Sequence, residues 1–580
     1  MDYALDRFRQ QARAAILATG IVAEEDVELV TPNPNVPADL AFPLFRAGKR
    51  LGTPPPRLAV DLAAAIHPTA DGLLGAAVAS GPYLNLTLNM PRFAAEVLAE
   101  IERPGPRYGH DDLGAGQTVV VDYSAPNVAK RMHVGHIRST IIGQAIVNIL
   151  GALGYRTVGD NHLGDWGKSF GVLLTGIAHE GVPTGDGESL LASLESLYVD
   201  YSGRAGRDPA LDAESRAWSL RLEQGDPTAR QIWQHAVDLT AGANQPSYDR
   251  LGVHFDHAYG ESFYEPMLAD LVQEALAKGV ARPGEGGAVV VDLGDGLPTF
   301  LLQRGDGGTL YHTRDLATIV FRLREFDPSK IVYVIGEPQT LYLRQLFALA
   351  RPLGYARDVE FVHVPFGSVV DATGRALSTR RGNMLYLQTL LDEAHARARA
   401  VVDRSGVDLP NTEKEAIAEI VGVGAVVYND VSQNPRRTIT LDWDSMLNLE
   451  GNSAPYIQYM YARCRSILRR AADESPPEVA GAVPPVGLVS PLHPSEAALV
   501  KHLAQLPIGI RAAGADFAPS EIAGWAYATA RAFAAFYRDC PVLQAAESEQ
   551  RAGRLRLVAA TARALENGTA LLGITMPDRM

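Results

Sequence analysis

Two histidines separated by Val-Gly, His133 and His136, stand where a phosphate could be met. They follow the run Val119-Val120-Val121-Asp122-Tyr123-Ser124-Ala125-Pro126-Asn127-Val128-Ala129-Lys130-Arg131-Met132. Its β-branched start reads as a buried strand, which Ser-Ala-Pro-Asn then breaks. From Ile137 to Leu150 apolar residues recur at helical spacing, so a helix is expected to begin near Ile137. Strand, loop and helix start together suit an anion, because free backbone N–H groups and the helix dipole converge there. Lys130, three residues before His133, brings positive charge to the same loop. A second pair, Tyr311 and Asp315, lies four apart on a predicted helix, so a hydroxyl and a carboxylate share one face.

The elements that must position these residues need a long chain. The 580 residues allow three or four domains. A hydrophobic share of 47% with 21% charged residues is ordinary for a globular protein. Cys464 and Cys540 are too few and too far apart for a disulfide framework or a zinc pattern, which suits a reducing cytoplasm. Acidic residues near the start (Asp2, Asp6, Glu24, Glu25, Asp26) are unlike a targeting peptide, and no apolar run is long enough for a membrane. The net charge of −14 argues against a general nucleic-acid coat. Residues 451–580 hold 13 Lys+Arg against 11 Asp+Glu, the part least repulsive to a polyanion.

In chain order, residues 1–110 read as a small α/β unit. It has an amphipathic helix over Ala4 to Thr19, an alternating strand from Tyr83 to Asn89, and a helix opened by Pro91. Residues 117–179 hold the strand and helix above, then a strand at Tyr155–Val158. Asn161-His162-Leu163-Gly164-Asp165-Trp166-Gly167-Lys168 follows at a sheet's ligand edge. That loop reads equally as a ligand contact and as a rigid turn packed by Trp166. Residues 180–300 are mainly helical and polar, ending in a hairpin of Ala288–Asp292 with Thr299–Leu302. Residues 301–410 hold a helix from Tyr311, strands Ile331–Ile335 and Phe361–Phe366, and the basic turn Ser378-Thr379-Arg380-Arg381-Gly382. Residues 411–580 read as helices, with a proline-rich break at Pro476–Pro494. There are no internal repeats.

His-x-Gly-His at such a junction resembles the HIGH signature of class I aminoacyl-tRNA synthetases. The longer run SAPNVAK followed by MHVGHIRSTIIG is similar to one branch, the arginyl-tRNA synthetases. So are SGPYLNLTLN, the GDWG stretch, Tyr248–Val253, Tyr259–Ser262 and Asn452–Arg463. The resemblance covers nearly the whole chain. It is weakest in the insertion and the first unit.

The resemblance implies an α/β fold: a class I Rossmann-type parallel-sheet catalytic domain with a helical insertion (connective region). A small N-terminal α/β domain would contact tRNA, and a C-terminal all-helical bundle would bind the anticodon. It implies arginine activation by ATP and transfer to tRNA(Arg), chemistry that needs positioning and charge stabilisation more than covalent catalysis. His133 and His136 would donate to phosphates, and adenine would lie on Gly135. The second signature of the class, KMSKS, is matched only as Ala376-Leu377-Ser378-Thr379-Arg380, without either lysine. Ser378 and Arg380 would bind nucleotide, and Lys130, with Arg380 or Arg381, would supply the missing charge for pyrophosphate. Asp315, Tyr311 and Glu261 would face the guanidinium, whose planar fork of donors suits carboxylates. Ser124, Asn127, His136 and Gln339 would hold the rest of the arginine. Where the family commonly has His and then Phe after this Gln, Tyr342 and Leu343 stand here. Tyr456, Tyr459, Tyr461, Arg463 and Arg465 would meet RNA, although aromatic residues at helical spacing are usually core. The expected substrates are L-arginine, tRNA(Arg) and ATP with Mg2+. No tightly bound cofactor, zinc, metal ligand set, DNA or membrane is expected, and a cytoplasmic monomer is.

Another class I synthetase, a small-molecule nucleotidyltransferase sharing His-x-Gly-His, and a non-catalytic tRNA-binding paralogue remain open from sequence. A site built around hydrogen bonds to a guanidinium can discriminate by about 10⁴–10⁵ without editing. The insertion 180–280 is therefore expected to lack hydrolytic activity. Deacylation of a mischarged tRNA that disappears on deleting the insertion would show otherwise.

Overall fold

The computed structural model describes the whole chain apart from residues 1, 34, 104–106, 185–186, 295, 356–357, 376, 378–384, 405–408 and 475–486. Ser378, Arg380 and Arg381 therefore lie outside the described residues, as does most of the proline-rich break.

The N-terminal unit is α/β as expected. Leu40–Pro43, Leu74–Ser80 and Tyr83–Leu88 form an antiparallel sheet with Tyr83–Leu88 in the middle. Alternation in that strand buries Leu84, Leu86 and Leu88 against helices Ala4–Ala18 and Met90–Glu102, whose Phe8, Ile16, Phe93 and Val97 are buried too. Arg511 ties this unit to the C-terminal helices through Asp6 (2.9 Å) and Asp111 (2.7 Å).

The central layer is a parallel sheet in the order Glu360–Phe366, Lys330–Gly336, Thr118–Asp122, Arg156–Asp160. Register sets Asp122 beside Asp160 on one side and Tyr333 on the other, at the carboxyl edge. Val119, Val120 and Val121 are fully buried, which explains the unbroken β-branched run. The helix after the first strand runs Val134–Ala152, one turn earlier than periodicity suggested. His133 is its N-cap, so Gly135 and His136 lie in the first turn. Apolar spacing could not reveal this, because the cap is made by an imidazole.

Three helices, Gly187–Ala205, Pro209–Glu223 and Pro227–Leu251, form the insertion. The hairpin is present as Val289–Val291 with Phe300–Gln303, and Arg282–Pro283 adds a third short strand. Among the described residues beyond 411 the chain is helical apart from loops and the strand Ile439–Leu441, which pairs in parallel with Val369–Asp371. This corrects the expectation of helices alone beyond 411. Among the described residues no helix is long and apolar enough to cross a membrane.

Two buried arginines fix the layers. Arg322, on helix Tyr311–Phe326, donates from Nε to Asp160 (2.9 Å) and from Nη2 to Asp122 (2.6 Å). Arg138, on the histidine helix, donates to Asp430 (2.9 Å) and to the carbonyls of Gly367 (2.8 Å) and Arg437 (2.7 Å). Both side chains are fully buried. Removing one partner of a buried pair leaves the other charge uncompensated. Arg322→Leu is expected to destabilise by about 3–5 kcal/mol, visible as a lowered thermal midpoint. An unchanged midpoint would contradict this account.

Candidate active site

The loop between the first strand and the histidine helix turns through three non-glycine residues with positive φ: Ser124 (72°), Ala125 (51°) and Ala129 (60°). Such backbone persists only when its surroundings over-determine it. Here Ser124 N–H donates to Ser139 Oγ (2.9 Å), Ala125 N–H to Asn161 Oδ1 (3.0 Å), and Ala129 N–H to Thr240 Oγ1 (2.9 Å).

The loop delivers two neutral donors. His133 Nδ1 accepts from Gly135 N–H (3.0 Å), and His136 Nδ1 accepts from His133 N–H (3.2 Å). With both Nδ1 atoms accepting, the ring protons sit on Nε2. Burial lowers both histidines, His136 to about 3, so each is uncharged at neutral pH. The ring centroids are 4.1 Å apart. Gly135 is exposed, and a Cβ there would come within 2.7 Å of His133 Cε1. Any other residue would push the ring off its cap. Lys130 holds its ammonium 4.5 Å from the centroid of Tyr198. The chain leaving 378–384 is pinned beside the histidines: Val134 N–H donates to Leu385 O and Leu387 N–H to Met132 O, both at 3.0 Å.

Acidic side chains gather near the same sheet edge. Asp122 and Asp160 belong to Arg322 and are not free for a ligand. Asp315 sits two helical turns before Arg322. Its Oδ2 accepts from the Tyr342 hydroxyl, and its Oδ1 lies 3.7 Å from His162 Nε2. Burial raises Asp315 to about 6 and Glu261 to about 7, and the Asp315 charge adds to the shift of Glu261. Glu261 Oε2 is 3.5 Å from Arg314 Nη1. Tyr311 is exposed, its ring 5.3 Å from that of Tyr342. Gln339 and Asn127 are exposed at loop ends near the carboxyl edge.

Some expected roles change. The Ser124 hydroxyl is buried and already bonded to Thr140 Oγ1 (2.9 Å) and Tyr248 OH (2.8 Å), so its side chain braces the loop instead of facing a ligand. The GDWG loop is a rigid turn. Asp165 accepts from Ser262 N–H (2.9 Å) and Oγ–H (2.6 Å), and a side chain at Gly260 would collide with Asp165. Trp166 is buried with its ring edge-on to Trp233. Tyr456 and Tyr461 are core residues, Tyr456 set edge-on to Tyr527. Arg465 is paired with Asp578 at 2.8 Å. Arg463 lies over Tyr459 (4.8 Å) and Tyr537 (5.0 Å), a cluster that does reach the surface.

Three contributors escaped sequence reasoning. Tyr342, noted there only as a departure, hydrogen-bonds the pocket acid. His162 lies between Asp315 and Tyr264, and burial holds it neutral near 4. Tyr248 braces Ser124 from 124 positions away. Position soon after Gln339 was the available signal for Tyr342, and the loop at the ligand edge was the one for His162, but nothing local tied Tyr248 to Ser124.

Residues 105–443 match the family model "tRNA synthetases class I (R), catalytic domain". The chain belongs to the class I arginyl-tRNA synthetases. Residues 457–580 match the "DALR anticodon binding domain" model of the same synthetase architecture. The arginine--tRNA ligase of Chloroflexus aggregans is 57% identical over the full length of both chains. That of Lactococcus lactis is 36% identical, covering 97% of each. The Thermus thermophilus arginyl-tRNA synthetase structure superposes with a TM-score of 0.78 at 25% identity, covering 99% of this chain and 100% of that one. The Plasmodium falciparum arginyl-tRNA synthetase shares the fold (TM-score 0.79, 22% identity, 98% and 99% covered).

In this arginyl-tRNA synthetase family member, Asp315 and Glu261 could pair with a guanidinium only when ionised. Their raised values put protonated forms on the acidic side of neutrality. Binding of a guanidinium ligand should therefore tighten as pH rises from about 5.5 to 8 and level off above. Titration calorimetry across that range checks this; affinity independent of pH would rule out the assignment of Asp315 and Glu261.

Proposed function

We propose that the chain activates L-arginine with ATP to arginyl-adenylate and pyrophosphate, then transfers the arginyl group to the 3′-terminal ribose of tRNA(Arg), releasing AMP. The observation that carries this is one sheet edge bearing both halves of the chemistry. The neutral N–H pair of His133 and His136 stands on the loop after the strand that ends in Asp122, and Asp315, within reach of the Asp122 charge, lies with Glu261 near the same edge. The arginine carboxylate attacks the α-phosphate of ATP, and the bond to pyrophosphate breaks. His133 and His136 donate Nε2–H to phosphate oxygens, adding no buried positive charge of their own. Gly135 gives the adenine a flat backbone surface. ATP would arrive with Mg2+. That ion would travel with the ATP phosphates, as Mg2+ commonly does.

Asp315 and Glu261 take the guanidinium, with the Tyr311 and Tyr342 hydroxyls beside them. Asn127, Gln339 and His136 are assigned to the amino acid's backbone groups. Lysine or citrulline would leave these carboxylates unpaired, which accounts for selectivity without editing. Lys130 is assigned the leaving pyrophosphate, with Ser378 and Arg380 or Arg381 from the second signature. Residues 1–110 are assigned to the tRNA body and 411–580 to the anticodon, with Tyr459 and Arg463 as RNA contacts. A cytoplasmic monomer is the matching working state.

Aminoacylation of total tRNA with each of the twenty amino acids should give charging with arginine alone. Charging with glutamate, glutamine or cysteine instead would refute the reading. Lys130→Ala should slow adenylate formation about 10²-fold, in the range of removing one charge-stabilising donor. A rate within a few-fold of the parent would remove Lys130 from the mechanism.

A further inference from the structure

The loop that carries Lys130 is held from outside the sheet, by the insertion. Ala129 N–H donates to Thr240 Oγ1 on helix Pro227–Leu251 (2.9 Å). On the other side of Lys130, Arg131 Nε donates to Glu195 Oε2 on helix Gly187–Ala205 (2.8 Å). One turn on, Tyr198 presents its ring to the Lys130 ammonium at 4.5 Å. Glu195 and Tyr198, three apart, share a helix face. The Arg131 guanidinium also stacks 3.5 Å over Tyr386, the residue bridged to His133 after the second signature segment. Tyr198 packs into the cluster of Val128, Ala129 and Trp166, so the ring itself is held.

We propose that Tyr198 and Glu195 are positioning residues for the cationic loop, Tyr198 aiming the Lys130 ammonium toward the phosphates and Glu195 anchoring the loop through its ion pair with Arg131. An aromatic face suits this task. It orients an ammonium through the ring quadrupole without neutralising it, whereas a carboxylate would compete with phosphate for the same charge. The Lys130 charge already reaches both histidine rings, lowering each. The insertion thereby acquires a role in catalysis that is neither editing nor RNA contact. This inference rests on the pyrophosphate role proposed for Lys130.

The test is adenylate formation by the full chain, with arginine, ATP and tRNA(Arg) present. Tyr198→Leu should lower kcat about five- to tenfold with KM for ATP nearly unchanged, while Tyr198→Phe, which keeps the ring face, stays within about twofold of the parent. In a Lys130→Ala background Tyr198→Leu should add nothing, since its effect runs through the lysine. Glu195→Gln, close in volume, should also lower kcat, and an unchanged thermal midpoint separates these losses from unfolding. Equal losses in both backgrounds, or a Tyr198→Leu enzyme as fast as its parent, overturns the inference while leaving the function standing. A fully active Lys130→Ala enzyme removes the role of Lys130 itself, and this inference with it.

Discussion

The Arg322 clamp is the interaction on which the site depends. Two parallel strands end side by side in Asp122 and Asp160, both buried. Two carboxylates out of water and next to each other would repel and would each require desolvation. One guanidinium answers both, because its planar fork donates in two directions. The consequence reaches the pocket. Asp315 lies on the same helix, two turns before Arg322, where the Asp122 charge raises it and the Arg322 charge lowers it. Without the clamp the Asp122 charge beside Asp315 would stand uncompensated and push the Asp315 pKa further up.

A similar economy runs through the stretch after the histidines. Arg138 pins the helix to Asp430 and to the segments around Gly367 and Arg437, joining the two halves of the sheet to the helical C-terminal part. Ser139 Oγ donates to Val334 O at 2.6 Å and accepts from Ser124 N–H. Thr140 Oγ1 donates to His136 O and shares a hydroxyl–hydroxyl hydrogen bond with Ser124 Oγ. The signature therefore carries two kinds of residue. The histidines and glycine are left open to a ligand, whereas Ser139 and Thr140 hold the strained loop in its positive-φ turn and Arg138 holds the helix. Neutral histidines follow from the same construction: an Nδ1 that accepts a backbone N–H is pre-set to donate from Nε2, with no need for a charge in a buried place.

Much of this was legible from residues alone because it is local. A β-branched run makes a buried strand, and alternation at Tyr83–Leu88 marks one face of a sheet. The spacing from Ile137 to Leu150 makes a helix, and His-x-Gly-His falls at the junction of the two. Tyr311 and Asp315 share a face because a helix has 3.6 residues per turn. These inferences use neighbours within a few positions, where chain geometry leaves little choice.

What tertiary structure decided is which distant group answers each polar one. Ser124 could face a ligand or a brace, and Tyr248 took its hydroxyl. Asp165 could bind a ligand or lock a turn, and Ser262 settled it. Tyr456 could stack on RNA or on protein, and the bundle buried it. His162 and Tyr342 entered the pocket only because separate strands and helices end at one edge. A side chain's type states what it can bond. Its partner depends on long-range packing that satisfies every buried donor and acceptor at once, and no local pattern encodes that choice.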